Sequence, residues 1–243
     1  MKSIELKDIE RETIMKIITL SFDDGEIFDI RLADLLRKYN LKATFYLCSA
    51  HLGLEGDLPT GRHYKKVYTD ILSQTYDGFE IGAHGANHRG FTKISEAELI
   101  DSIIADIKTF TPYTRKPIIC CAYPGGATNE TVIEILQRTQ PVMFARTVCK
   151  DGKLFDSPTN PYLCVPSVHL FDENIDTIID EFDGLSSQDV NILHIYGHSW
   201  EMEWERENGW DTCERIFSRL SKIHNATYMD NGDTYSYVFK KVK

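Results

Sequence analysis

Apolar, β-rich runs alternate with amphipathic helical patterns along most of the chain, and this alternation constrains the fold more than any other feature. It calls for βα units around a parallel sheet. Residues 16–22 form the first apolar run, which stops at Asp23-Asp24-Gly25. Leu32, Leu35, Leu36 and Tyr39 follow at i, i+3, i+4 and i+7, one face of a helix, and residues 41–48 supply a second strand. Residues 51–63 carry Gly53, Gly56, Pro59 and Gly61 and read as a loop of the kind that often holds specificity, followed by a helix over 64–74.

Strands are expected next at 79–83, 118–123, 142–148 and 190–196, with a short closing strand at 227–229. Between them, Ser95-Glu96-Ala97-Glu98 is a capping box ahead of a helix whose apolar face is Ile100, Ile103, Ile104 and Ile107. Further helices are expected over 129–138 and on the faces Ile175/Ile178/Ile179/Phe182 and Cys213/Ile216/Phe217/Leu220; residues 150–166 read as a proline-bearing loop. No linker-like stretch or fixed-period repeat divides the 243 residues. The pattern favours one domain over 1–243, an α/β barrel of about seven βα units, with an open doubly wound sheet as the alternative.

Composition narrows the function. Lys and Arg number 27 against 37 Asp and Glu, a net charge of −10 that repels a phosphate backbone, so nucleic acid is not an expected partner. No apolar run approaches the roughly 20 residues that a bilayer span requires. Glu5, Asp8, Glu10 and Glu12 interrupt the start where a signal peptide would be apolar. The expectation is a cytoplasmic protein without a membrane partner, its six cysteines reduced and mostly buried, since no C-x-x-C pair occurs.

In parallel α/β sheets, functional groups gather at the carboxyl ends of strands. Here those ends carry Asp23-Asp24, His84 with His88 four residues on, Tyr123-Pro124-Gly125-Gly126, and His194 with His198 just beyond. Two imidazoles brought to one point by a helical turn, with a carboxylate from a neighbouring strand, make the two-nitrogen, one-oxygen set of a catalytic zinc with an open position. Asp24, His84 and His88 are the candidates. Successive strand residues face opposite ways, so Asp23 and Asp24 meet one site only if the strand has ended by Asp24.

Thr19-Leu20-Ser21-Phe22-Asp23-Asp24-Gly25, Lys38-Tyr39-Asn40-Leu41-Lys42-Ala43-Thr44-Phe45-Tyr46 and Glu80-Ile81-Gly82-Ala83-His84-Gly85-Ala86-Asn87-His88 closely resemble the first half of the polysaccharide deacetylase family, carbohydrate esterase family four. The match is good over residues 16–126 and loose beyond, through Ile192-Leu193-His194 and Ala226-Thr227-Tyr228-Met229. The resemblance implies a distorted (β/α)7 barrel, a divalent metal on Asp24, His84 and His88, and hydrolysis of an N-acetyl or related amide by a metal-activated water. It makes Asp23 the general base. Zinc suits the ligands best, with cobalt, nickel or manganese accepted by the same set. The turn from Tyr123 to Gly126, with Gly125 at its centre, is the expected backbone donor to the oxyanion. His194, at the family's L-x-H position, is the preferred general acid; His198 is the alternative, in a segment Gly197-His198-Ser199-Trp200-Glu201 that also reads as a site loop.

Three departures from the family pattern stand out. Gly85 replaces the usual Ser or Thr after the first histidine, which removes one loop-stabilising hydrogen bond. Cys121-Ala122-Tyr123-Pro124-Gly125-Gly126 lacks the arginine that orients the catalytic aspartate, and Arg146 on the next strand is proposed to replace it, a surface role being the other reading. The family's Asp-Trp pair is also absent; Trp200, Trp204 and Trp210 cluster instead, Trp200 as a candidate substrate contact and core packing expected for at least two of them. His169 is a further residue that could reach the site, while His51, His63 and His224 have no motif context. The substrate class is an N-acylated sugar. A small or cyclic amide, as for allantoinase-like relatives, and a catalytically silent metal or sugar binder are the competing readings.

Overall fold

The computed structural model describes residues 16–148, 155–186 and 189–241. The chain before Lys16, Cys149 and the first residues of the proline-bearing loop lie outside them. The elements run β1 (Lys16–Asp23), α1 (Asp29–Lys38), β2 (Thr44–Leu47), β3 (Glu55–Asp57), β4 (His63–Lys65), α2 (Leu72–Thr75), β5 (Glu80–Ala83), α3 (Glu96–Phe110), β6 (Cys120–Ala122), α4 (Glu130–Thr139), β7 (Phe144–Arg146), β8 (Val168–His169), α5 (Ile175–Gly184), β9 (Asn191–His198), α6 (Gly209–Leu220), β10 (Thr227–Tyr228) and α7 (Asn231–Lys241).

Seven strands lie side by side in the order β7-β6-β5-β2-β1-β9-β8, all parallel, and β10 pairs with the lower half of β1. The two edges of this curled sheet are joined by one short segment. Cys164 N donates to Ala145 O on β7, and three residues later Ser167 N donates to His194 O on β9. The result is the distorted (β/α)7 barrel that the motifs imply, not the open sheet.

All eight residues of β1 are buried, yet its two faces differ. Ile18, Leu20 and Phe22 belong to the large apolar cluster with Leu32, Leu36, Ile216 and Phe217, so they pack outward under the helices. Thr19, Ser21 and Asp23 alternate with them and turn into the barrel. At its lower end the interior is plugged by α7, whose Val238 packs on Ile17 and Ile192 and whose Tyr235 packs with Tyr46, Cys120 and Phe144. Truncating a core side chain such as Phe22 to Ala removes about 3–5 kcal/mol of stability.

The capping box is formed as expected: Ser95 Oγ accepts from Glu98 N, and Glu98 Oε2 accepts from Ser95 N at 2.9 Å. Asn129 caps α4 in the same way, accepting from Val132 N. One expected element is wrong. Residues 64–74 do not form one helix: His63–Lys65 is strand β4, paired antiparallel with β3, and helical structure is confined to a 3-10 turn at Thr69–Ile71 that runs into Leu72–Thr75. The backbone there is claimed by long-range partners instead, Ile27 N bonding Lys65 O at 2.7 Å and Val67 N bonding Gly25 O at 3.0 Å. Tertiary pairing overrides a short helical periodicity when it satisfies the same backbone groups.

Candidate active site

The strand register fixes the level of the barrel mouth. Asp23 stands opposite Tyr46 on one side and His198 on the other, and Ala122 stands opposite Arg146. Asp24 then leaves the strand with φ +80, followed by Gly25 at +65. A non-glycine residue at positive φ is costly and is kept where geometry requires it. Here it breaks the strand's alternation, so that both carboxylates face one site.

His84 ends β5 and His88 lies beyond a tight turn in which His88 N donates to Gly85 O at 2.8 Å. This is a β-turn, not the helical turn expected from the spacing. Gly85 has φ +73, and a Cβ there would lie 2.8 Å from the Phe91 ring, so a side chain at this position would be strained and would force that ring to shift. Asp106, on the buried face of α3 with Leu99, Ile103 and Phe110, accepts from His84 N at 3.0 Å and from Ser49 N at 2.8 Å. Burial raises its carboxyl to about 6 despite these donors.

Asp24 Oδ1 lies 3.6 Å from His84 Nε2 and 3.3 Å from His88 Nε2. Ligand atoms around a tetrahedral ion with bonds of roughly 2.0–2.1 Å are about 3.3 Å apart, so the two carboxylate–imidazole spacings are close to those of a zinc site, and all three ligand atoms lie within 4.8 Å of one another. The tautomer fits too. His84 Nδ1 donates to Ala122 O at 2.9 Å, leaving the Nε2 lone pair toward Asp24, and burial lowers the imidazole's pKa so that the ring stays neutral. Burial raises the Asp24 carboxyl, but His84, His198, Lys66 and His88 together outweigh that and hold it well below the usual range. Its second oxygen accepts from Trp200 Nε1 at 3.1 Å.

Asp23 is buried, its Oδ2 3.9 Å from His84 Nε2, and its Oδ1 accepts from Arg146 Nη2. Arg146 is not a surface residue: it is 1% exposed, with its guanidinium 4.9 Å from the Tyr46 ring and 5.4 Å from that of Tyr196.

The two candidate histidines of β9 have opposite surroundings. His198 is at the mouth. Its Nδ1 and its backbone N both meet Glu201 Oε2, at 3.1 and 3.0 Å, and His169 Nε2 meets the same oxygen at 3.0 Å. Burial lowers the His198 pKa, but Glu201, Asp23 and Asp24 outweigh it and raise the value overall. His194 pairs with Thr19, four residues below Asp23 and so roughly 13 Å beneath the mouth. Its ring meets Ser21 Oγ at 2.8 Å and Tyr235 OH at 3.1 Å, and burial drives its pKa well below the ordinary value. The structure does not bring His194 to the Asp24 cluster.

Tyr123 is likewise engaged elsewhere: its N–H bonds Arg146 O at 3.0 Å and its hydroxyl donates to Tyr162 O at 2.7 Å. Gly125, at φ +66, is exposed with nothing within 4 Å of where a Cβ would stand. The tryptophans divide otherwise than expected. Only Trp210 joins the core, while Trp200 and Trp204 line a cleft of about 420 Å³ beside the site, with His51, Tyr64 and Lys66. His63 pairs with Asp57 on the exposed hairpin.

Asp106 is absent from the residues that the sequence points to, Glu201 enters only as the end of the candidate site-loop segment, His51 has no motif context, and the hairpin falls largely in a stretch read as a specificity loop. Two of them had a signal. Asp106 is a charged residue on an otherwise apolar helical face, and Glu201 follows His198 at i+3.

The polysaccharide deacetylase family model matches residues 10–143, more than half of the 243-residue chain, and the chain belongs to that family. It is 28% identical over 121 residues to a peptidoglycan-N-acetylglucosamine deacetylase of Bacillus cereus, covering 49% of this chain and 51% of the relative. It is 23% identical over 181 residues to a poly-beta-1,6-N-acetyl-D-glucosamine N-deacetylase of Staphylococcus aureus, covering 71% of this chain and 60% of the relative. The chain thus spans about half to three-fifths of the length of these two curated relatives. Among solved structures, a peptidoglycan deacetylase from Bacillus subtilis superposes with a TM-score of 0.57 at 16% identity, covering 94% of each chain, which shows a shared fold. Among the described residues, no helix is long and apolar enough to cross a membrane.

Proposed function

We propose that the chain is a divalent-metal-dependent amide hydrolase that removes N-acetyl groups from a sugar. The observation that carries this reading is the convergence of Asp24, His84 and His88 on one point, with Asp23 and His198 flanking it. The two imidazoles and one carboxylate suit zinc, and cobalt, nickel or manganese would be accepted by the same donors. When bound, the metal supplies Lewis acidity to the attacking water and to the acyl carbonyl.

The remaining roles fall to the protein. Asp23, oriented by Arg146, accepts the proton of the water as its oxygen bonds to the carbonyl carbon. The turn at Gly125 lets a backbone N–H approach the developing oxyanion. His198, with Nδ1 fixed on Glu201, presents Nε2 and donates its proton to the nitrogen as the carbon–nitrogen bond breaks, giving acetate and a free amine. We assign this step to His198 in place of His194, whose ring contacts lie in the barrel interior. The thiols of Cys48, Cys120, Cys121, Cys164 and Cys213 are all buried and unpaired, which supports a reducing, cytoplasmic setting.

Amine release from N-acetylated sugars by the zinc-loaded protein tests the reading. Activity that a chelator removes and zinc restores is expected. Metal bound without any release would leave a binding protein. Arg146→Met is expected to lower turnover sharply, and unchanged turnover would remove Arg146 from its assigned role.

A further inference from the structure

We propose that the cleft beside the metal ligands is end-stopped and takes a short or chain-terminal uncharged saccharide, not an internal stretch of polymer. This rests on the deacetylase reading above and names the substrate class of the same site. The cleft opens directly from the mouth: Trp200 Nε1 bonds Asp24 Oδ2 at 3.1 Å, Lys66 Nζ bonds Asp24 O at 3.1 Å, and the His51 ring lies 6.4 Å from that of His88. A row of tilted rings leads into it. His198 and Trp200 are 5.0 Å apart at 32°, and Trp200 and Trp204 are 6.4 Å apart at 31°. Such a wall suits the apolar C–H face of a sugar ring, and a cleft of about 420 Å³ has room for few of them.

The charged residues that line the cleft are already paired, Lys66 with Glu26 at 2.7 Å and Arg62 with Glu205. An ionised group on the occupant would therefore compete with pairs already made, and a neutral one would not. The Arg62–Glu205 pair also closes the far side. Arg62 ends the turn of the β3–β4 hairpin, where Leu58 N bonds Arg62 O at 2.8 Å, and Glu205 ends the one-turn π-helical segment that carries Trp204. The hairpin and the tryptophan segment are the two walls, and this contact joins them across the cleft. The base of the hairpin is anchored, with Lys65 O and Val67 N bonded to Ile27 and Gly25, next to the metal ligand Asp24. Extended polymer threading past the site would meet this bridge.

The zinc-loaded full chain is assayed on the N-acetylglucosamine tetramer and on soluble glycol chitin, with the position of each free amine read by mass spectrometry. Release is expected at one end of the tetramer, with polymer slower by at least about tenfold per acetyl group. The double variant Arg62→Ala/Glu205→Ala, and a second variant with residues 58–62 replaced by Asn-Gly, are expected to raise the ratio of polymer to tetramer turnover at least about tenfold and to release amines from internal units. Equal release from internal and terminal units by the wild type overturns the proposal, as does undiminished end-selectivity in the shortened hairpin. Tetramer binding is also followed by quenching of tryptophan fluorescence, which Trp204→Ala is expected to weaken. Quenching without amine release from any substrate overturns the deacetylase reading and sustains the cleft; release without quenching, unaffected by Trp204→Ala, overturns the cleft and sustains the deacetylase.

Discussion

The barrel interior holds two polar layers that use the same residue types for different ends. In the upper layer Asp23, Asp24, His84, His88 and His198 face an open mouth. In the lower layer α7 closes the barrel: Asn231 bonds Thr19, Thr44 and Tyr46, Gly232 N bonds Glu80 at 2.9 Å, and Tyr235 meets His194. His194 and His198 share one strand face, four residues apart, yet the lower ring is buried between the Ser21 and Tyr235 hydroxyls with the Arg146 cation acting on it, and the upper one is beside carboxylates. The lower histidine is held neutral and the upper one is biased toward its protonated form. Polar groups that have all their partners stabilise a fold, whereas chemistry requires groups with a free direction.

The largest effect should come from the upper layer. Asp23→Asn is expected to lower turnover by about 10²–10⁴-fold while zinc binding, followed by titration calorimetry, is retained. Loss of both would mean that Asp23 is a ligand.

Arg146→Met leaves the Asp23 charge buried without its partner and is expected to cost about 3–5 kcal/mol in denaturant unfolding, alongside its loss of turnover. A loss much below that range would mean that Asp23 finds another cation or water.

Glu201→Gln comes next, with a fall in turnover of about 10–100-fold, of the size seen when a partner that orients a functional histidine is removed. Its pH profile carries the sign: Glu201 raises the His198 pKa, an acid works only while protonated, so its loss should shift the basic limb to lower pH. A profile unchanged in shape would return His198 to a structural role.

The lower layer should respond in stability instead of rate. His194 has a depressed folded pKa, so its contribution is present above the unfolded value of about 6.5 and is lost as pH falls below it. Thermal unfolding of the wild type is expected to lose up to about 1.4 kcal/mol per pH unit below that point relative to His194→Gln, with turnover per folded molecule little changed. A collapse of turnover in this variant would restore His194 as the acid.

The smallest effect is on stability at the cleft. Arg62→Ala breaks a half-exposed ion pair and is expected to change unfolding free energy by under about 1 kcal/mol, so any change in substrate choice would reflect shape and not folding.

Much of the upper layer was legible because its residues sit at strand ends within contiguous motifs. Asp24 and His84 each follow directly on a strand whose apolar run marks where it stops, His88 is four residues on from His84 within the same motif, and Arg146 is the cation at the end of the neighbouring strand β7. His194 misled because the same alternation that places it on the inner face says nothing of depth until the register with β1 is known. The hairpin was illegible for a related reason. Its side chains have a helical spacing, and only pairing with residues 25–27 and 53–54, distant in sequence, made strand the better use of its backbone.

The sequence by itself determined the βα order, the helix caps and the residue types at the strand ends, since these depend on periodicity and on contacts within a few residues. Tertiary structure alone decided which histidine reaches the mouth, that Asp106 and Glu201 brace the site, and that a hairpin bounds the cleft. Those outcomes depend on strand register and on hydrogen-bond partners from other elements, and such partners are not written in local spacing.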